Sequence, residues 1–397
     1  MHISSLHLLA WFFAGLVLCG LAYQFLVFVG IAKFRRESSP HAGPVLTPPI
    51  SILKPLRGVD PRMYEAFRSH CLQDYPDYEI IFGVADPDDP AVSEVERLRR
   101  EFPARRIKLI VCPEQLGTNG KVSTLVQLLP VARHDLLVIN DSDILVPSNY
   151  LHQIADRFCS GVKGSTTEEK TRRIGMVTTL YRAAAGSTLA SRIESLTVAT
   201  DFAGGVLAAY ALEGRLTFGL GATLAVRRET LEAIGGLQPL LDYLADDYEL
   251  GNRIARAGFD VVLTSIVVDT ALPNSSFSEM FQHQLRWART IRDRRLRGYI
   301  GLGVTHVVPW ALLACVFAGF SGWSLALFAV AGFSRFAVAA ALCNYALKDM
   351  RADLDIWLLP VRDVIALLIW IACFAGNQVF WRGETFRLRH GKLEKLE

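Results

Sequence analysis

The sequence predicts an α/β domain held between membrane-spanning segments. Three observations carry this. Apolar residues gather at the two ends of the chain, strands alternate with helices between them, and short acidic turns close two of those strands. The 397 residues are 51% hydrophobic, with a mean hydropathy of +0.27. That is too apolar for a single soluble domain and too polar for a chain lying wholly in lipid. The length suits two or three domains. A net charge of +3, from 42 basic and 39 acidic residues, excludes a nucleic-acid partner, which demands a strongly basic surface. The apolar content excludes disorder. Seven cysteines include no C-x-x-C pair, so free thiols are expected, not a disulfide framework or zinc cluster.

Taken in order, residues 8–32 hold no charge across 25 positions, which makes about 37 Å of helix, enough to cross a bilayer. The basic residues Lys33, Arg35 and Arg36 follow this run. A cleaved leader carries them in front, so the order predicts an uncleaved anchor, residues 1–36, whose far end is cytoplasmic. The soluble domain is expected over residues 47–300. Pro48-Pro49 opens a strand at 50–53, and a helix follows at 61–72. The strand 78–84 runs into the turn Asp86-Pro-Asp-Asp89. A helix at 91–102 stops at Pro103. The strand 107–111 leads through the Gly117–Lys121 turn into a helix ending near 129. The strand 136–140 ends at Asp141-Ser-Asp143. This alternation predicts βαβ units and a parallel sheet.

The apolar stretch 202–214 reads as a buried helix or as an interfacial lip for a lipid. Residues 278–297 read as an amphipathic, Arg-rich helix. Residues 301–381 are expected to be C-terminal membrane segments. Within them, 301–347 carries one full charge, Arg335, and is long enough for two crossings with a turn near Ser321 and Gly322. A third run, 364–381, follows Arg362 and Asp363. Three crossings would put the basic tail, 382–397 with Arg382, Arg387, Arg389, Lys392 and Lys395, outside, against the positive-inside rule. One apolar segment is therefore expected to be interfacial or re-entrant.

Parallel sheets bind ligands at the carboxyl ends of their strands, where Asp86, Asp141 and Asp143 are expected. Asp141-Ser-Asp143 suits a divalent cation whose shell is completed by substrate phosphates, or an Asx turn. Asp246-Asp247 suits a helix N-terminus. One Asp suffices there, which leaves the other free as a general base. Gly117-Thr-Asn-Gly-Lys121 can turn backbone N–H groups and the Lys121 ammonium toward a phosphate, although it is not a P-loop. Gly219-Leu-Gly-Ala-Thr223 serves either close packing or close approach to a ligand. Arg286, Arg289, Arg292 and Arg295 form a stripe fit for anionic lipid. Arg286 also suits a phosphate, and Trp287 an apolar acceptor wall.

These residues together resemble the ceramide glucosyltransferases, family 21 of the glycosyltransferases, and the similar bacterial glycosyltransferases of hopanoid synthesis. Ser51-Ile-Leu-Lys-Pro-Leu-Arg-Gly-Val-Asp60, Gln73-Asp-Tyr-Pro76, Asp86-Pro-Asp-Asp-Pro90, Asp141, Ala245-Asp-Asp-Tyr248 and His283-Gln-Leu-Arg-Trp287 follow the family's landmarks in order. His283 stands where the family carries Gln or Arg, and Asp143 completes an Asp-x-Asp that the animal enzymes lack.

The resemblance implies a GT-A (Rossmann-like) fold on the cytoplasmic face of a bacterial inner membrane. It implies an inverting transfer of glucose or N-acetylglucosamine from a UDP-sugar to a lipid hydroxyl, of ceramide or a hopanoid. Asp86 would contact uridine, Asp141 and Asp143 would hold Mg²⁺ or Mn²⁺, and Asp247 would be the base. Arg286 would pair with the diphosphate, Trp287 would shape the acceptor side, and Lys121 would help hold the nucleotide. A processive polysaccharide synthase, a polyprenyl-phosphate sugar synthase and a non-catalytic membrane scaffold are the competing readings.

Overall fold

A seven-stranded sheet positions the site. Its strands are β1 (Ile50–Leu56), β2 (Tyr78–Val84), β3 (Arg106–Val111), β4 (Leu136–Ile139), β5 (Ile174–Ala184), β6 (Leu224–Arg227) and β7 (Asp260–Ala271), in the order β3-β2-β1-β4-β6-β5-β7. The computed structural model describes residues 5–37, 46–160, 173–381 and 384–395. Arg382 of the basic tail lies outside the described residues. The first four strands are those the alternation predicts, and they pair in parallel. Every residue of β2 and β4 is buried, as a sheet covered on both faces requires.

The sheet is mixed, not wholly parallel: β6 runs antiparallel to β4 and to β5. The reason lies in the connection before it. The chain leaves β5 at the carboxyl edge and forms α6 (Leu189–Thr197), a π turn (Val198–Phe202) and α7 (Ala203–Glu213). It stays at that edge, so β6 must start there and run back.

The remaining helices are α1 (Ser5–Glu37), α2 (Met63–Cys71), α3 (Ala91–Glu101), α4 (Gly120–Leu128), α5 (Tyr150–Ser160), α8 (Arg228–Ala233), α9 (Asp246–Arg256), α10 (Phe277–Arg294), α11 (Leu296–Gly301), α12 (Val307–Phe317), α13 (Gly322–Ala341), α14 (Met350–Leu354) and α15 (Leu359–Ala372). Among the described residues, four helical stretches, Ser5–Glu37, Leu189–Glu213, Gly322–Leu347 and Ile356–Ala375, are long and apolar enough to cross a membrane. The α11–α12 pair, bent by 64°, makes a fifth if counted as one.

Helix α1 joins the sheet domain at one end and the far end of the helical layer at the other. Its Gly30 meets α7 so closely that a Cβ there would lie 2.2 Å from the Leu207 carbonyl oxygen. The Lys33 ammonium donates to the Tyr210 and Gly214 carbonyls at 3.3 and 2.5 Å, which caps the end of α7. At its start, Trp11 stacks on Trp323 at 4.7 Å and Phe13 on Phe317 at 5.6 Å. These partners flank the α12–α13 turn, so α12 and α13 form a hairpin directed away from the sheet.

Helix α15 behaves differently. Its first turn packs with Ala190, Ile193 and Met280 of α6 and α10. At its other end Arg292 of α10 donates to the Cys373 carbonyl and to Gly376 at 2.8 Å. Both ends therefore rest on the sheet domain. The boundary of the expected membrane region also moves. The helical run stops near Ala375, and Gln378–Trp381 is a strand, β8, in a small sheet with β9 (Glu384–Arg389) and β10 (Lys392–Lys395). Gln378–Trp381 therefore belongs to this sheet and not to the helical run. β10 docks on the loop before α9: Leu393 N–H donates to the Asp242 carbonyl at 2.8 Å and Leu244 N–H to Gly391 at 3.1 Å. The tail thus lies on the same side as the sheet domain. The Arg stripe of α10 is likewise largely internal, since Arg289 and Arg292 donate to the carbonyls of Gln378, Cys373 and Gly376.

The charges within the apolar helices are paired. Arg335 of α13 makes two 2.9 Å bonds to Asp363 and one of 3.0 Å to Asp201, and Arg362 pairs with both carboxylates. Such groups persist at this depth only when partnered.

Candidate active site

The site is assembled at the carboxyl end of β4. Asn140, fully buried, donates to the Ala222 carbonyl at 2.7 Å and to the Tyr150 hydroxyl at 2.9 Å, which fixes the chain as it leaves the strand. Beneath the next residue, the fully buried Lys54 of β1 donates to the Asp141 carbonyl at 2.8 Å. Burial pushes this lysine down to about 7, while Asp143 and Asp141 pull the other way. Asp141 is therefore held by its backbone while its side chain stays 41% exposed.

Three loops bring partners to it. In the 117–121 turn, Asn119 caps α4 by accepting from Val122 N–H at 3.2 Å, and it donates to the Tyr243 carbonyl at 2.8 Å. Lys121 then reaches between two carboxylates, 2.8 Å from Asp141 and 3.2 Å from Asp246. Burial disfavours its charge, but Asp141 and Asp246 outweigh burial and hold it above the ordinary lysine range. The Gly219–Thr223 loop supplies space. A Cβ on Gly221 would lie 3.1 Å from Asp247 Oδ2 and 3.5 Å from Asp141 Oδ2, so both carboxylates converge on one glycine. A Cβ on Gly219 would instead collide with Leu224 and the Asp247 carbonyl, which makes that glycine a packing requirement. The third loop opens α9. Ala245 is the N-cap and makes no side-chain cap bond, so neither Asp246 nor Asp247 acts as the cap. Burial, reinforced by Asp246 and Asp141, raises Asp247 to about 6, against the pull of Lys121 and the Tyr248 N–H. Asp143 is also pushed up to about 6 by burial, opposed by the Thr270 hydroxyl that bonds it.

An aromatic wall leads from these carboxylates toward the apolar helices. Tyr181, at the end of β5, senses the charges of Asp247, Asp141, Asp143 and Glu194, although burial is the larger cause of its raised pKa. Its ring lies 4.9 Å from that of Phe202, which lies 6.0 Å from Trp287. Trp287 meets His283 edge-on at 5.0 Å, and His283 Nδ1 bonds the buried Glu194 of α6. Phe202 follows Asp201, which joins the ionic network among the apolar helices.

Among the residues expected from sequence, Asp141, Asp247 and Lys121 are thus in one cluster. Asp143 lies within its electrostatic reach, and Trp287 closes the wall. Arg286 precedes Trp287 on α10, half-buried. Asp86 stands apart in its own turn after β2, where it accepts from Asp88 N–H at 2.9 Å. With β1 between β2 and β4, that edge is about 10 Å away at ~4.8 Å per strand. Tyr181, Glu194 and Lys54 were not expected. Lys54 sits inside a strand that reads as core. Tyr181 lies on a strand, and Glu194 on a helix, that the alternation did not reveal.

A sequence model of the family described as Glycosyl transferase family 21 matches residues 12–394. Ceramide glucosyltransferase 3 of Caenorhabditis elegans is 26% identical over 245 residues, covering 61% of this chain and 50% of that protein. A ceramide glucosyltransferase of Pyricularia oryzae is 21% identical over 470 residues, covering 94% of each. The chain spans about half the length of the two C. elegans relatives it matches. Among solved structures, a mannosyltransferase of Pyrobaculum calidifontis, in complex with GDP-Man and Mn²⁺, covers 91% of this chain and 98% of its own at 20% identity, with a TM-score of 0.51. The fold is that of the GT-A glycosyltransferases. With a family match that runs through the sheet, the acidic cluster and the docked tail, the chain belongs to glycosyl transferase family 21.

Proposed function

We propose that the protein is a membrane-bound inverting hexosyltransferase that moves glucose or N-acetylglucosamine from a UDP-sugar to the hydroxyl of a lipid of the ceramide or hopanoid type. The observation that carries this is the convergence of Asp141 and Asp247 on Gly221, with an aromatic wall running from them to the apolar helices. A sugar nucleotide needs the first half of that arrangement and a lipid acceptor the second.

Asp247, held near 6, is largely ionised at pH 7 and close to the optimum for a general base. It would take the proton of the acceptor hydroxyl as that oxygen attacks the anomeric carbon from the face opposite the leaving UDP. One displacement inverts the centre, giving a β-glycoside from an α-linked donor. Lys121 would hold Asp141 and Asp246 in place. Trp287, Phe202 and Tyr181 would exclude water along the acceptor path. Arg286 would pair with the diphosphate, and Asp86 would reach the uridine along the strand ends.

The donor set suits a divalent ion, Mg²⁺ or Mn²⁺. Asp141 and Asp143 offer hard carboxylate oxygens, and the described residues hold no group of three or more His, Cys, Asp or Glu that could hold a metal. Two carboxylates with the remaining positions left to phosphate oxygens and water is the usual arrangement for such an ion on a nucleotide. Its chemistry is charge neutralisation of the departing diphosphate. The GDP-Man and Mn²⁺ of the P. calidifontis enzyme support this reading.

The same-side placement of tail and sheet domain supports a cytoplasmic catalytic domain, 47–300, in a bacterial inner membrane, anchored by residues 1–36 and by the α12–α13 hairpin. The test is incubation of the purified protein with UDP-glucose or UDP-N-acetylglucosamine against ceramide, diacylglycerol and a hopanoid polyol. Mass spectrometry should find one glycosylated lipid, formed only with divalent cation. Absence of any lipid product with both donors would sink the proposal.

A further inference from the structure

On the other side of the Asp141–Asp143 turn, two adjoining cavities of about 320 and 330 Å³ open between the 61–62 turn, the ends of β5 and β7, and the segment after α13. They share Arg62 and Arg351, and the second is also lined by Arg182, Asp269 and Lys348. Four cations therefore face one space. Two are already engaged: Arg62 pairs with Glu65, and Arg182 pairs with Asp269 and caps the carbonyls of Leu347 and Lys348. The side chains of Lys348 and Arg351 make no ion pair among the described residues. Asp349 also lines the second cavity, where its carboxylate accepts from the Arg351 and Ala352 N–H groups and acts on Arg182.

The backbone at this place is unusual. Arg62 and Lys348 both have left-handed conformations, φ 56° and 55°. Such strained backbone collects where function holds it. The surroundings give the ligand's second half. Met350, Leu354 and Trp357 are 65%, 75% and 63% exposed, directly after the helical stretch that ends at Leu347. Apolar side chains with a tryptophan and free cations are the composition of a membrane–water boundary.

We propose that this cavity binds the phosphate headgroup of an anionic phospholipid, with its acyl chains against Met350, Leu354 and Trp357. Lys348 and Arg351 supply the cations that make no ion pair among the described residues, Arg62 and Arg182 supply fixed N–H donors, and the lipid is neither donor nor acceptor of the sugar. The site is separate from the carboxylate cluster, so its occupancy is readable without transfer.

The experiment uses the full chain in neutral detergent, titrated with phosphatidylglycerol or phosphatidylcholine and read by native mass spectrometry. The wild type should retain phosphatidylglycerol selectively. The double variant Lys348→Ala, Arg351→Ala should retain it about 30-fold less, as loss of two surface cations at about 1 kcal/mol each implies. The variant's donor binding should equal that of wild type, which shows it folded. Equal retention of both lipids by wild type, or undiminished phosphatidylglycerol on the double variant, overturns the proposal. So does displacement of the lipid by inorganic phosphate at low millimolar concentration, since that would make the cavity a soluble-anion site.

Discussion

Replacing Asp247 by Asn separates chemistry from folding. Asparagine keeps the shape and can still accept the Tyr248 N–H bond, made at 2.7 Å by Asp247 Oδ1, but it cannot take a proton. A positioned base contributes about 10²–10⁴ in rate, or about 3–5 kcal/mol at 1.36 kcal/mol per decade. The same substitution should not weaken the fold. Asp247 is raised from the ordinary aspartate range to about 6, so the unfolded chain ionises more readily than the folded one. The resulting penalty is absent below about pH 4, grows between 4 and 6, and is complete above 6, where it reaches about 3 kcal/mol. Asn removes it.

The assay is lipid-product formation at pH 7.5 with UDP retention and thermal unfolding measured alongside. Transfer should fall at least a hundredfold, with UDP binding kept and the unfolding midpoint no lower than wild type. The wild-type rate should fall below about pH 6 as the base protonates. A variant keeping more than about a tenth of the rate, a loss of only about 1.4 kcal/mol, would refute the assignment.

Other substitutions probe the neighbours. Lys121→Met leaves Asp141 and Asp246 without their shared cation. It should lower stability in denaturant unfolding by less than the ~3–5 kcal/mol of a fully buried pair, because Asp141 is partly exposed, and, since Lys121 lowers the Asp247 pKa, should move the acid limb of the pH–rate profile upward. Gly221→Ala puts a methyl 3.1 Å from the Asp247 carboxylate, so it should impair donor binding while stability stays within about 1 kcal/mol of wild type by denaturation. Glu194→Gln removes the charge that orients His283 and should raise the KM for the lipid acceptor more than that for the sugar donor. Leu393→Asp places a charge among Leu244, Val379, Phe386 and Leu388; by undocking β10 from the loop before Asp246, it should abolish transfer, as read by product yield.

Much of this arrangement was legible because it follows local rules. Strands β1 to β4 announce themselves as short apolar runs between turn residues, and their carboxyl ends carry Asp86 and Asp141. Asp246-Asp247 was legible as an acidic pair at a helix start, and the family resemblance of Ala245-Asp-Asp-Tyr248 singles out Asp247, although neither acid caps the helix. What escaped depends on distant packing. Strand β7 pairs with β5 across the intervening α6–α9 region, a partnership no local period records. The polarity of Arg289 and Arg292 suggested lipid, but Arg289 donates to the Gln378 carbonyl of β8 and Arg292 to the Cys373 and Gly376 carbonyls after α15. The tail's charges suggested a free basic segment, yet Phe386, Leu388 and Leu393 alternate with them and form the buried face of a sheet. His283 was visible as a departure from its family, whereas Glu194, which gives that histidine its orientation, is 89 residues away in sequence.

The central claim is a single displacement assisted by Asp247 at a site opening to lipid. The anomeric configuration of the lipid product tests it most directly. Wild-type protein supplied with α-linked UDP-[¹³C]glucose and its lipid acceptor should yield only the β-glycoside, identified by the large anomeric proton coupling in NMR. A product retaining the α configuration would require two displacements or a different face of attack, and would contradict the account.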